Sequence, residues 1–321
     1  MLIACGAALF VYLVLRIGPA TVVESFRSLS WRLLVVIVFP CVVLKMFDAL
    51  AWRFAFPDAG APLLSLSAGL LAGQAVASIT PSGALGEKAV MGWMLRDRMS
   101  LREGLSSLLV VQTTSTISQG LFLLLGVVLA RWTLSSSLAL VRAMGWLLLL
   151  EVIGVAGFVV VQVRGGVAGG YGLLGRLGLS GGAGVGETVA HVDRALLTFY
   201  RSHPRRLAMS LGCSFLGWVT RSGETWFILY LLGASVSVPM ALIIESFETG
   251  ISFATFFLPT DLGVQEGGIV ATFLALGLSG AIGLSFSLVR RIRDLAWTAL
   301  GLLLLAGKGR PSPVAARTQQ A

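Results

Sequence analysis

Apolar residues run along this chain in blocks about as long as a bilayer crossing, and polar residues gather between them. The blocks lie near 1–16, 33–51, 63–80, 105–130, 143–163, 207–231, 240–258, 264–280 and 282–306. A helix rises about 1.5 Å per residue, so about 20 apolar residues cross the hydrocarbon of a membrane. No alternating ten-residue segments point to an outer-membrane barrel. The pattern predicts an all-α integral membrane protein. It is a multi-pass helical bundle of about eight or nine apolar segments within residues 1–306. Residues 307–321 read as a disordered cytoplasmic tail. The first block reaches only ~24 Å, so translation is expected to start upstream of Met1.

Two of the blocks break in the same way. Thr80 to Lys88 reads Thr-Pro-Ser-Gly-Ala-Leu-Gly-Glu-Lys, and Leu258 to Gly268 reads Leu-Pro-Thr-Asp-Leu-Gly-Val-Gln-Glu-Gly-Gly. Pro81 and Pro259 lack the N–H that a helical ladder needs, and the glycines that follow loosen the backbone. At membrane depth such a break survives only where protein or a wet cavity covers the freed groups. Interrupted segments in corresponding halves point to a transporter's binding site. Helix N-termini at the breaks can present N–H groups to an anion. Both stretches are expected to be broken or re-entrant, and the sequence leaves open whether each crosses or turns back.

Composition agrees with a membrane. Only 12% of residues are charged and the mean hydropathy is +0.89, against about 25% charged in soluble domains. A net charge of +9 is compatible with nucleic-acid binding, but its placement follows alternate loops. Arg16, Arg27 and Arg32 fall in one loop, Lys88, Arg96, Arg98 and Arg102 in a second. Arg164, Arg176, Arg194, Arg201, Arg205 and Arg206 fall in the longest, and Lys308, Arg310 and Arg317 in the tail. The other loops hold Arg53, Arg131 and Arg142. By the positive-inside rule this puts the C-terminus in the cytoplasm and the N-terminus outside. The partners implied are anionic lipid surfaces, not nucleic acid. Cys5, Cys41 and Cys213 lie in apolar runs without disulfide or metal-ligand spacing, so no metal or cofactor is expected.

The long loop, 164–206, has two parts. Gly165 to Gly186 is glycine-dense but lacks a phosphate-loop motif and reads as a linker. Residues 187–201 space Val189, Val192, Leu196, Phe199 and Tyr200 as an amphipathic helix lying on the inner membrane surface.

Charges inside the apolar blocks are the candidate chemistry, because each is costly at mid-bilayer. Lys45 and Asp48 are three apart on one helix face, and so are Arg221 and Glu224. Both pairs read as self-neutralising packing devices. Glu245 and Glu248 cannot neutralise each other, while Arg290, Arg291 and Arg293 with Asp294 leave a surplus of positive charge. Setting the Glu245/Glu248 face against the Arg290/Arg293 face, with Arg291 pointing elsewhere, suggests a polar cavity. The alternative is that the arginines snorkel to an interface. Residues 112–119 carry Gln112, Thr113, Thr114, Ser115, Thr116, Ser118 and Gln119, which serve as helix–helix glue or as cavity lining.

Four motifs in order carry a resemblance. These are Asp48-Ala-Leu-Ala-Trp-Arg-Phe, Pro81-Ser-Gly-Ala-Leu-Gly-Glu-Lys, the Leu258–Gly268 stretch, and Ser287-Leu-Val-Arg-Arg-Ile-Arg-Asp. Over about residues 30–306 the chain resembles the lysylphosphatidylglycerol synthase transmembrane (flippase-like) family, most closely its hopanoid-associated branch. The resemblance implies a bacterial inner-membrane bundle with broken or re-entrant helices that moves a lipid between leaflets. It implies the site positions Glu87, Pro259, Gly263, Glu266 and Arg290, to which the neighbouring charges add Lys88 and Arg293 as candidate substrate-binding residues. Supporting charges would be Lys45, Asp48, Arg221, Glu224, Glu245, Glu248 and Asp294. Ser78 departs from the family, where relatives often place an asparagine. Residues after 306 hold nothing suited to aminoacyl transfer, so synthase chemistry is not expected. The leading function is a non-enzymatic translocator of lipids with anionic or polyhydroxylated headgroups. A membrane-embedded enzyme of lipid or polyprenyl-linked metabolism and a scaffold for lipid-biosynthetic enzymes are the alternatives.

Overall fold

The computed structural model describes residues 32–58, 60–80, 83–133, 138–163, 185–255 and 264–308. Among these every regular element is a helix. In chain order they are α1 Arg32–Phe54, α2 Leu63–Ile79, α3 Gly83–Met94, α4 Leu101–Thr133 and α5 Leu138–Val163. There follow α6 Val185–Ser202, α7 Pro204–Leu231, α8 Val238–Thr255, α9 Val264–Ala275 and α10 Gly280–Lys308. The expected span at 1–16, the linker 164–184, Pro259, Gly263 and the tail from 309 lie outside the described residues.

Local chemistry sets several boundaries. Ser100 and Glu103 form a reciprocal capping box at the start of α4. The Ser100 N–H donates to Glu103 Oε2 at 3.1 Å, and the Glu103 N–H donates to Ser100 Oγ at 3.3 Å. Between α9 and α10 the chain reverses at Gly277, whose φ of 74° is open to glycine and disfavoured for other residues.

The described helices on either side of each break pack together as a hairpin. α3 folds back along α2, where a β-carbon at Gly73 would lie 2.9 Å from the Glu87 carbonyl oxygen. Small residues allow that approach of backbones. α9 folds back along α8, bringing Gly268 to Ile251. At 12 residues each, α3 and α9 span about 18 Å and do not cross a bilayer alone. The block at 63–80 is therefore one arm of a hairpin, not a crossing.

This changes the sidedness read from the loops. Arg206 Nη2 donates to the Arg53 carbonyl at 3.1 Å, and Trp52 Nε1 donates to Ser107 Oγ at 3.1 Å. Phe56, Ala61, Leu95, Leu108, Leu196 and Phe199 share one apolar cluster, and Lys308 reaches Asp97 at 2.6 Å. The end of α1, both ends of the α2–α3 hairpin and the start of α4 thus lie at one end of the bundle. So do α6, the start of α7 and the end of α10. Arg53 belongs with Arg96, Arg98 and Arg102, and Arg32 belongs with Arg131 and Arg142 at the opposite end. The hydrogen-bonded Lys308 ammonium holds the exposed Asp97 carboxyl below its usual range.

Opposite direction and similar length relate two quartets. α1, α2, α3 and α4 have 23, 17, 12 and 33 residues; α7, α8, α9 and α10 have 28, 18, 12 and 29. α1 and α7 run antiparallel, with Ser210 Oγ on the Ala51 carbonyl at 2.9 Å. One hairpin enters from the basic end, the other from the opposite end. This is an inverted-topology repeat, with α5 and α6 inserted between its halves.

α6 does not rest its apolar face on lipid. Val192, Leu196 and Phe199 are buried against α1–α4, and Tyr200 donates to Thr113 Oγ1 at 3.1 Å and Gln162 Oε1 at 2.9 Å. The amphipathic pattern is right, but protein covers it.

Candidate functional site

The site is built around two arginines on α10. Arg290 reaches α8, where the i, i+3 spacing puts Glu245 and Glu248 side by side. Its Nη2 lies 2.6 Å from Glu245 Oε2 and its Nη1 lies 2.7 Å from Glu248 Oε2. Thr225 of α7 donates to the same Glu245 oxygen at 2.5 Å. The Phe286 ring closes under the guanidinium, 4.9 Å from centroid to carbon. Three positions on, Arg293 is bonded to Glu224 of α7 and, through Nη2 at 2.8 Å, to Asp294. The arginine and glutamate side chains are nearly all buried, with Arg290 and Arg293 about a tenth exposed (11% and 10%). That burial rules out snorkelling to an interface. It also removes the expected positive surplus, because each arginine serves two carboxylates.

Glu224 therefore does not take Arg221 as its partner. Arg293 comes in from α10 and occupies it, and Arg221 lies over the Trp218 ring at 4.8 Å. Lys45 and Asp48 do pair with each other, at 3.3 Å, on the α1 face that meets Gly217 of α7.

Around these ion pairs lies a cavity of about 1130 Å³. α3 supplies Glu87 and Lys88, paired at 3.1 Å, and α8 supplies Glu245, Glu248 and Thr249. α10 supplies Arg290, Arg291, Arg293 and Asp294, while α7 adds Arg221. Arg291, expected to point elsewhere, thus shares the same wall. Gln112, Thr116 and Gln119 of α4 also line it. Three other hydroxyls of that stretch are glue. Thr113 bonds Gln162 at 2.9 Å, Thr114 bonds Ser210 at 2.9 Å, and Ser118 donates to the Leu211 carbonyl at 2.9 Å. Leu150, Ile153 and Phe158 of α5 form an apolar side. Hence one space joins residues of both hairpins to the arginine helix, with a charged wall facing an apolar one.

The chain belongs to the lysylphosphatidylglycerol synthase TM region family. Residues 1–301 match it, which makes this a membrane protein of lipid metabolism or transport. No curated protein and no solved structure matches the chain. Of the site residues expected from the sequence, Glu87, Lys88, Arg290 and Arg293 meet in the cavity. Glu266 lies in the first turn of α9, with its side chain outside the described residues. Lys45 and Asp48 stand away from the cavity lining. Among the described residues no cluster of His, Cys, Asp and Glu could hold a metal ion. Sequence reasoning missed Gln74, which lines the cavity from α2, and Glu151 of α5, which is wholly buried. The signal for both was a strongly polar side chain inside an apolar block.

Proposed function

We propose that the chain moves a polar-headed membrane lipid between leaflets and does no covalent chemistry itself. The observation that carries this is a cavity with a charged wall from α3, α7, α8 and α10 opposite an apolar wall from α5. A headgroup would lie among the charges while acyl chains follow α5, whose Val152, Ile153, Val160 and Val161 are exposed. Guanidinium groups suit phosphate or carboxylate oxygens. The amides and hydroxyls of α4 suit a polyhydroxylated headgroup, such as that of a hopanoid. The volume lies just above the usual range of small-molecule sites, about 300–1,000 Å³. The positive-inside rule favours a bacterial inner membrane with the Arg53, Arg96 and Lys308 end in the cytoplasm. Enzymes that make such a lipid would be its neighbours there.

The test is transbilayer movement of headgroup-labelled phosphatidylglycerol in vesicles holding the purified chain, read by an impermeant quencher. Wild type should expose the inner-leaflet label faster than empty vesicles, and Arg221→Gln should slow it several-fold while unfolding at the same temperature. No acceleration with phosphatidylglycerol, its aminoacyl ester or a polyhydroxylated hopanoid would overturn the reading. Covalent conversion of any of these lipids would favour an enzyme.

A further inference from the structure

Glu151 belongs to none of the ion pairs above. It is the one ionisable residue of α5 beyond Arg142, in a helix apolar enough to cross a membrane. It is 0% exposed, and neither carboxyl oxygen has a hydrogen-bond partner among the described residues. The side chain faces α4 at Gly120, where a β-carbon would sit 4.0 Å from its Oε1. No ionisable side chain lies on α4 between Glu103 and Arg131. α8 meets α5 at Gly250 on Leu147 and at Phe253 on Gly154, and its carboxylates, Glu245 and Glu248, both bind Arg290. From the cavity side the further charged groups are Glu87, Lys88, Arg221, Arg291, Arg293 and Asp294. A carboxylate without water, cation or donor is strongly disfavoured, so the geometry favours the neutral acid. Yet the polar space is close. Gly154, one turn along α5, and Gln119, next to Gly120, both line the cavity.

We propose that Glu151 is a proton-binding site whose loading and unloading couples lipid movement to a proton gradient. The inference rests on the translocator reading. When α5 shifts against α4 and opens the carboxyl to the cavity, the O–H bond breaks and the proton passes to cavity water, leaving a carboxylate. Reprotonation from the other side restores the neutral acid and allows reclosure. No other group changes oxidation or bonding.

Two measurements on the full chain test this. Infrared spectra of wild type should contain a protonated-carboxyl carbonyl band that Glu151→Gln lacks. In vesicles carrying labelled phosphatidylglycerol, a gradient of about one pH unit changes the protonation ratio of a carboxyl about tenfold. Wild-type movement should differ several-fold with the direction of that gradient and lose the difference with a protonophore. E151Q should move lipid equally in both directions. If the band survives in E151Q, or if wild type moves lipid with no response to the gradient, the inference falls and the translocator reading stands. A Glu151-dependent band without any lipid movement would overturn the translocator reading and the coupling, leaving a proton site alone.

Discussion

Arg290 holds two carboxylates that could not otherwise share the interior. Removing one partner of a buried ion pair costs about 3–5 kcal/mol, because the other charge stays buried. Arg290→Ala is expected to lower the yield of folded protein and its unfolding temperature in detergent sharply. Arg290→Lys keeps the charge but loses the planar fork that reaches Glu245 and Glu248 together. It should fold with a smaller loss and translocate poorly. An alanine variant as stable as wild type would remove Arg290 from the centre of the packing. The Glu245/Glu248 face and its arginine partner were legible because spacing within a helix puts residues on one side. Glu224 was not, since spacing offers Arg221 as its partner while Arg293 arrives from another helix. Only the crossing of α7 and α10 decides between them. Glu151 has no spacing to read at all.

At the scale of elements, the repeat shows in its glycines. Gly126 of α4 lies against Ser246 of α8, and Gly301 of α10 lies against Leu71 and Ala75 of α2. Each long helix thus crosses the longer arm of the other half's hairpin at a residue without a side chain. A β-carbon at Gly301 would come within 2.3 Å of the Leu71 carbonyl oxygen, and backbone inside a helix cannot step aside. Gly301→Ala should therefore destabilise the bundle by about 1–3 kcal/mol, the usual cost of overpacking. Gly145→Ala, with nothing within 4 Å, should be neutral or mildly stabilising in the same detergent melt. Equal stability of both variants would place α10 farther from α2. The proline–glycine breaks themselves could be read from the chain, but hydropathy has no direction. It cannot tell a helix that exits from one that turns back, which is why the block at 63–80 read as a crossing. The amphipathic face of α6 was likewise legible, while its cover was not, because lipid and packed protein make the same demand on apolar residues.

For the molecule as a whole, the two hairpins decide which residues share a side. Cysteines placed at Asp58, Asp97 and Lys308 are expected to react with an impermeant thiol reagent from one face of the membrane, and cysteines at Trp132 and Ser237 from the other. Opposite reactivity at 58 and 97 would restore the topology that loop charge alone implies.

The contact between α10 and α2 also has a consequence in time. The α2–α3 hairpin emerges early from the ribosome, yet the residue it packs against, Gly301, lies 230 positions beyond Leu71. At about 5–20 residues per second, the first hairpin waits on the order of ten to fifty seconds for that partner. During this interval it rests on α1 and α4, without the helix that carries both arginines. The charged wall is thus the last part of the bundle to be completed, and no partly synthesised chain presents the finished cavity.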